Sequence, residues 1–239
     1  MQTYTVQLRE KREVADQTMA FLFEKPAEFS FRAGQYVAIT LPKVEFEDKK
    51  GATRCMSISC APFEDHLMFA MRITDTAFKQ TFSHMSLGDE IIIRDAVGHF
   101  VLPEDQSRPI IFLAGGIGIT PVRSILRQAQ KDERKNPFWL FYSNRRPEDA
   151  AFIDEMQSFD GLDYHGIDTL TDVIAEACPW QEESGFICAD MLRKHLAHVR
   201  EALYYVVGTP GFSQAMEKML TEELGVAPAD IRKDPFTGM

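Results

Sequence analysis

The stretch Leu113-Ala114-Gly115-Gly116-Ile117-Gly118-Ile119-Thr120-Pro121 decides the reading of this chain. Before it runs Ile110-Ile111-Phe112-Leu113-Ala114, a fully apolar segment of the kind that forms a strand covered on both faces. After it, Val122, Ile125, Leu126 and Ala129 recur at helical spacing. The glycines between can take positive φ and let backbone approach a ligand closely. Thr120 is expected to cap the helix, and Pro121 suits its first position, where no N–H is needed. Such a helix start presents free N–H groups and partial positive charge, where a pyrophosphate fits. Gly116, Gly118, Thr120 and Pro121 are therefore expected to face a dinucleotide. The bland alternative is a tight strand-to-helix turn that binds nothing.

The same construction recurs downstream. Val206-Val207 closes a strand, Gly208-Thr209-Pro210-Gly211 turns, and a helix runs from Phe212 to Leu224. Between the two turns, Phe138 to Tyr142 reads as a strand, Pro147 to Phe159 as a helix and Leu203 to Val207 as a strand. This alternation predicts an α/β doubly wound parallel sheet, with both turns, Gly208 included, lining one crevice. Ser143-Asn144-Arg145-Arg146 follows the strand ending at Tyr142. An acidic residue there serves the ribose hydroxyls of NAD, whereas an arginine accommodates the extra phosphate of NADP. Ser143, Arg145 and Arg146 thus favour NADPH over NADH as co-substrate, against a solvated basic loop as the plain alternative.

Upstream the rhythm differs. Tyr36 to Leu41, Leu67 to Ile73, Ile91 to Ile93 and Phe100 to Leu102 read as short strands. Ala33-Gly34, Leu87-Gly88-Asp89 and Val97-Gly98 separate them, a spacing that suggests an antiparallel sandwich or barrel. Pro103 to Pro109 is polar with a proline at each end, a plausible linker. The expected domains are residues 1–104 and 105–239.

Composition narrows the function classes. The chain has 239 residues with a formal charge of −10, so a phosphate backbone is an improbable partner and no nucleic acid is expected. No apolar run nears the roughly 20 residues that span a bilayer, and the start has no signal-peptide pattern; a cytoplasmic protein is expected. Cys55, Cys60, Cys178 and Cys188 form no CxxC pair or iron–sulfur spacing and read as reduced, mostly structural thiols. His195 and His198, three apart, read as a solvated helix face, and no metal site is expected.

Three segments of the first half have bland readings alone: Arg32-Ala33-Gly34-Gln35-Tyr36, Arg54-Cys55-Met56-Ser57-Ile58-Ser59 and Asp75-Thr76-Ala77-Phe78-Lys79-Gln80-Thr81-Phe82. In this order, ahead of the glycine turn, they make the chain resemble the ferredoxin–NADP reductase-like family of flavin reductases over nearly its whole length. The resemblance implies a flavin-binding antiparallel β-barrel followed by a nicotinamide-nucleotide-binding α/β domain. Arg54-Cys55-Met56-Ser57 resembles the family's arginine–x–tyrosine–serine motif, which implies that Arg54 binds the flavin pyrophosphate and Ser57 acts near the flavin N5. Gln35 and Tyr36 match the segment before that motif. Thr76, Ala77, Phe78, Lys79 and Thr81 resemble the short helix that meets the flavin phosphates, with Met71 in the preceding strand. Phe236 belongs to an ending like the family's segment beside the flavin. FAD is the implied flavin ahead of FMN.

The departures gather around the implied flavin ring. Met56 stands where the family usually has tyrosine, and a thioether packs on an aromatic ring less rigidly. Ala96-Val97, Val207 and Met239 replace a proline–phenylalanine, a cysteine and a terminal aromatic. The expected activity is hydride transfer from NAD(P)H to bound FAD, with electrons passed to an external acceptor such as a ferredoxin- or flavodoxin-type carrier or a partner oxygenase. Two rivals stand beside it. One is a flavin-binding electron-transfer subunit or redox sensor that needs a partner for turnover; the other is a nucleotide-binding protein that has lost flavin.

Overall fold

The computed structural model describes residues 2–44, 51–172 and 183–235. The first half forms β1 (Thr3–Ala15), β2 (Thr18–Glu24), β3 (Tyr36–Thr40), β4 (Thr53–Ser57) and β5 (His66–Arg72), then α1 (Ala77–His84) and β6 (Glu90–Arg94). These strands make one antiparallel sheet of order β4-β3-β6-β1-β2-β5. Its edges are drawn together where Ser59 N donates to Met68 O at 2.8 Å, closing the barrel. Alternation explains the long hairpin β1–β2. Val6 and Leu8 are buried, while the charged run Arg9 to Glu13 lies exposed on its outer arm.

The second half forms β7 (Ile110–Gly115), α2 (Ile119–Lys131), β8 (Phe138–Asn144), α3 (Ile153–Met156) and β9 (Tyr164–Leu170). It continues with β10 (Glu183–Ser184), α4 (Ala189–His195), β11 (Leu203–Gly208), α5 (Pro210–Lys218) and β12 (Ile231–Pro235). All six strands are parallel, in the order β10-β9-β8-β7-β11-β12. Strand order reverses between β7 and β11, which makes their carboxyl ends a topological switch point. The β7 residues Ile110 to Ala114 are all buried, as a doubly covered strand requires.

Three expectations need correction. Phe100 to Leu102 is not a strand, because the Tyr205 hydroxyl (2.8 Å) and the Arg232 guanidinium take the Val101 carbonyl in place of a neighbouring strand. Pro147 to Phe159 is not one helix. A 3₁₀ turn, Pro147–Asp149, is followed by Phe152 at φ 59°, which breaks the helical path before α3. The helix read from Phe212 begins at Pro210 and ends in a π-turn, Met219–Glu223.

The two halves are packed into one another. One cluster of buried apolar side chains runs from Phe21, Phe69 and Ile93 of the barrel to Phe112, Val122 and Ile125 of the second unit. Arg123 of α2 is 3% exposed and donates to Ser59 O at 2.9 Å. It also meets Glu64 at 3.3 Å and Glu155 at 2.8 Å, while Ser124 Oγ donates to Cys60 O at 2.6 Å. Among the described residues, no helix is long and apolar enough to cross a membrane.

Candidate functional site

Two clefts open at the switch point. The first, of about 580 Å³, is walled by β4 (Arg54, Cys55, Met56, Ser57), the end of β5 and the start of α1, the Gly98–Phe100 turn and β12. The second, of about 900 Å³, is walled by the Gly115–Ile117 turn, Ser143 to Arg145, Thr171, Phe186 and the start of α5. Arg72, Lys79 and Ile117 line both, so the clefts meet along those three side chains.

Register builds the first cleft. β4 pairs with β3 so that Tyr36 lies opposite Ser57 and Ile39 opposite Arg54. Tyr36 is held by a two-way backbone bridge to Val97, at 3.0 and 2.9 Å. Gly98, at φ 118°, lies against the Tyr36 ring, where an added Cβ would come within 3.1 Å of two ring carbons. The Arg54 guanidinium stacks 5.3 Å from the Phe78 ring centroid and donates to the carbonyls of Gly51 and Thr53 at 2.9 and 2.8 Å. Met56 is half-buried, and Met71 is buried in the wall. Ser57 is 8% exposed and hydrogen-bonds Asp234 of β12. Burial pushes the Asp234 carboxyl above its ordinary range, with the Ser57 bond partly offsetting that. Its Oδ2 is buried without a hydrogen-bond partner among the described residues. Among the described residues, Arg54, Arg72, Lys79, Arg232 and Lys233 line this cleft, with Asp234 as its one acid. That is a marked reversal in a chain with 26 basic and 36 acidic residues.

Close packing of two turns builds the second cleft. An added Cβ on Gly118 would lie 2.7 Å from the Val207 carbonyl oxygen. Gly115 and Gly208 both lie against the Phe212 ring. Gly116, at φ 51°, has nothing within 4 Å of its Cβ position, so its backbone borders open cleft. Thr209 caps α5, its Oγ1 accepting from Phe212 N at 3.2 Å.

The predicted residues divide accordingly. Arg54, Cys55, Met56, Ser57, Tyr36, Met71, Thr76, Phe78 and Lys79 line the first cleft, and Gly116, Ser143 and Arg145 the second. Thr120 lines the first cleft and is not a cap. The helix begins two residues earlier than expected, with Gly118 at its N-cap, and the Thr120 hydroxyl donates to Ile117 O at 3.1 Å. Pro121 is then the third helical residue and is buried. Gln35, Ala77, Thr81, Gly118, Pro121 and Gly208 line neither cleft; they hold the walls from behind. Gln35, for example, accepts from Arg32 N at 2.8 Å and donates to Gly98 O at 3.3 Å. Phe236 lies outside the described residues, as do Met239 and Cys178.

Arg146 also lines neither cleft. It makes a two-point contact with Asp149 (3.1 and 3.2 Å) and reaches Asp16 at 3.2 Å and Glu148 at 3.0 Å. Those acids hold its charge more firmly than an ordinary arginine's. Among the described thiols, Cys60 fits the structural reading: it is buried and pushed up to about 12 by that burial. Cys55 and Cys188 are exposed, one in each cleft wall. Sequence reading missed Arg72 and Arg232, which carry no local motif, and it placed Asp234 only within the ending that resembles the segment beside the flavin, with no role of its own.

Residues 112–218 match the family model of the oxidoreductase NAD-binding domain. The reductase component of propane 2-monooxygenase from Mycolicibacterium smegmatis is 25% identical over 220 residues, covering 89% of this chain and 61% of that protein. The match to that reductase runs through both halves of the chain. The chain has the two-domain fold of ferredoxin–NADP reductase-like proteins. The flavohemoprotein of Bacillus subtilis is 26% identical over 215 residues, 86% of this chain and 51% of that one. The chain thus spans about half to three fifths of these curated relatives. In structure it superposes on a ferredoxin NADP⁺ reductase from Neisseria gonorrhoeae, solved with bound FAD and NADP. The TM-score is 0.81 at 21% identity, covering 98% of each chain.

Proposed function

We propose that this chain is an NAD(P)H-dependent flavoprotein reductase unit. It takes hydride from a nicotinamide dinucleotide onto bound FAD and passes electrons to an external acceptor. The observation that carries this is the meeting of the two clefts at Arg72, Lys79 and Ile117, which lets two ligands touch without leaving their own sites. The division between the flavin- and nucleotide-binding units falls near residue 104.

The residues present fit these cofactors. Cations concentrate in the first cleft beside apolar Met56, Met71 and Phe78, as an aromatic ring bearing phosphates requires. Arg54 and the start of α1 meet the flavin phosphates, and Tyr36 and Met56 border the ring. FAD supplies the chemistry of accepting a hydride and releasing electrons singly. Ser57 hydrogen-bonds Asp234 at the inner wall, where burial raises the carboxyl's affinity for a proton. The open backbone at Gly116 receives the dinucleotide. Arg145, exposed on the wall of the second cleft, is the arginine available to a ribose phosphate, whereas Arg146 is committed to three carboxylates.

The acceptor is a separate protein of the oxygenase or small-carrier class. Reductase components of the propane 2-monooxygenase and naphthalene 1,2-dioxygenase systems stand among the relatives, which supports that class. A second reading, a module that turns over only with its partner, rests on Met56. Its half-buried thioether borders the cleft where an aromatic would fix a ring more rigidly. Steady-state oxidation of NADPH and NADH by FAD-loaded protein, with ferricyanide as acceptor, tests both. Turnover without any partner supports the reductase and sinks the obligate module. Arg145→Ala is expected to weaken NADPH selectively, and Arg146→Ala to leave the nucleotide preference unchanged.

A further inference from the structure

Arg232 of β12 lines the first cleft, and the groups that hold it are neutral. Its Nη1 donates to the Val101 carbonyl and to the Tyr205 hydroxyl, and its guanidinium lies over the Tyr205 ring, 5.2 Å from the centroid. Burial pushes the Tyr205 hydroxyl up to about 12, with Arg232 partly offsetting that, so the phenol stays uncharged. It donates in turn to Val101 O at 2.8 Å. Among the described residues, no carboxylate pairs with the Arg232 guanidinium. Asp234 lies two residues along the same strand and hydrogen-bonds Ser57 instead. Two other cations of this cleft are paired, Arg72 with Asp149 at 3.1 Å and Lys233 with Glu217 at 2.6 Å. Position matters as much as charge. The period of two along β12 puts Arg232 and Asp234 on one face. Phe100, in the turn that packs on Tyr36, meets Tyr205 edge-on at 5.2 Å. Arg232 therefore stands at the end of the cleft that holds Tyr36, Ser57 and Asp234, whereas Arg54, Thr76 and Phe78 form the other end. A half-buried charge with neutral partners is weakly screened there and acts over several ångströms.

We propose that Arg232 sets the reduction potential of the bound flavin, by stabilising the negative charge that the ring gains on reduction. This rests on the reductase reading above. Hydride transfer breaks a C–H bond of the nicotinamide and forms an N–H bond on the flavin. It moves two electrons and one proton, leaving a positively charged nicotinamide and a flavin ring with one added negative charge. A cation at the ring end of the cleft lowers the free energy of that product and leaves the neutral oxidised ring almost untouched. Arg54 and the start of α1 act on phosphates, whose charge is the same in both states and cancels from the potential. Tyr205 and Val101 are the positioning groups. They hold the guanidinium without neutralising it, as a carboxylate partner would.

Anaerobic equilibration of FAD-loaded protein with redox dyes, at one pH and without nucleotide, reads the two-electron midpoint apart from turnover. Arg232→Gln is expected to shift the equilibrium roughly tenfold towards oxidised flavin, a midpoint about 30 mV more negative. Arg232→Met, neutral and of similar reach, is expected to match it. Arg232→Lys keeps the charge and should recover most of the shift. Tyr205→Phe keeps the ring and the cation while removing one bond to Val101, so its midpoint should stay near wild type. The Kd for oxidised FAD is expected to change little in all four. Equal midpoints in wild type and both neutral variants would make Arg232 an anchor of Val101 only. A loss of oxidised-FAD affinity with no shift in midpoint would place it on the phosphates. A shift in Arg232→Lys or Tyr205→Phe as large as in Arg232→Gln would assign the effect to loosened packing. Each of these overturns the proposal and leaves the reductase reading standing. If wild type takes up no flavin, the reductase reading itself fails and takes this proposal with it.

Discussion

The two glycine turns at the switch point look alike in sequence and are built differently. The turn at Gly115 to Thr120 is fixed by lack of room. Gly118 is wedged against the Val207 carbonyl, and no side chain caps the helix that follows. The turn at Gly208 to Gly211 is fixed by a side chain, since Thr209 caps α5 and Pro210 opens it. Sequence reading assigned a side-chain cap to the first turn, at Thr120, and the structure has one only at the second, where Thr209 caps α5. The lesson concerns the origin of the open backbone. In the first turn close packing leaves Gly116 bordering the cleft, and the second turn supplies the surface against which that packing occurs.

Four substitutions would break or sharpen this contrast. Gly118→Ala is expected to cost the most, about 3 kcal/mol, because its Cβ would meet backbone of the other turn, which cannot swing aside. Chemical denaturation reads it. Gly116→Ala meets no atom, but its φ of 51° makes it cost about 1 kcal/mol, and its methyl would intrude on the second cleft. Dinucleotide affinity should therefore fall out of proportion to stability. Thr209→Ala is expected to cost about 1 kcal/mol by loss of the cap, with dinucleotide Kd nearly unchanged. Gly211→Ala, with open space and an ordinary φ, should stay within about 0.5 kcal/mol of wild type. A large effect there would mean that the second turn is also wedged.

Asp234, paired with Val207 beside the second turn, adds a pH test. Burial raises its carboxyl pKa, so the folded chain holds more proton there than the unfolded chain does. The window runs from the ordinary carboxylate range up to the raised value, and stability falls as pH rises through it. Asp234→Asn is expected to flatten that slope in denaturation midpoints measured across the window. An unchanged slope would assign the dependence to another group.

Much of the frame was legible because it rests on local signals. An apolar strand, a glycine turn and a helical stripe placed β7, the switch-point turn and α2 correctly. Strand alternation and the ordered segments around Arg54 and Thr76 placed one wall of the first cleft. What escaped was non-local. Phe100 to Leu102 is as apolar as a strand, yet its carbonyl at Val101 is claimed by side chains more than a hundred positions away. Arg145 and Arg146 are neighbours in sequence, but only the first lines a cleft, because Asp16 of the barrel hairpin and two local acids hold the second. Arg72 and Arg232 carry no motif, and only the tertiary arrangement places them on the clefts.

The most direct test of the central claim is an anaerobic titration of FAD-loaded protein with NADPH and then NADH, followed at the flavin absorption band. Rapid bleaching, with NADPH preferred through Arg145, is expected. A band that stays oxidised with both nucleotides would contradict hydride transfer across the seam at Arg72, Lys79 and Ile117.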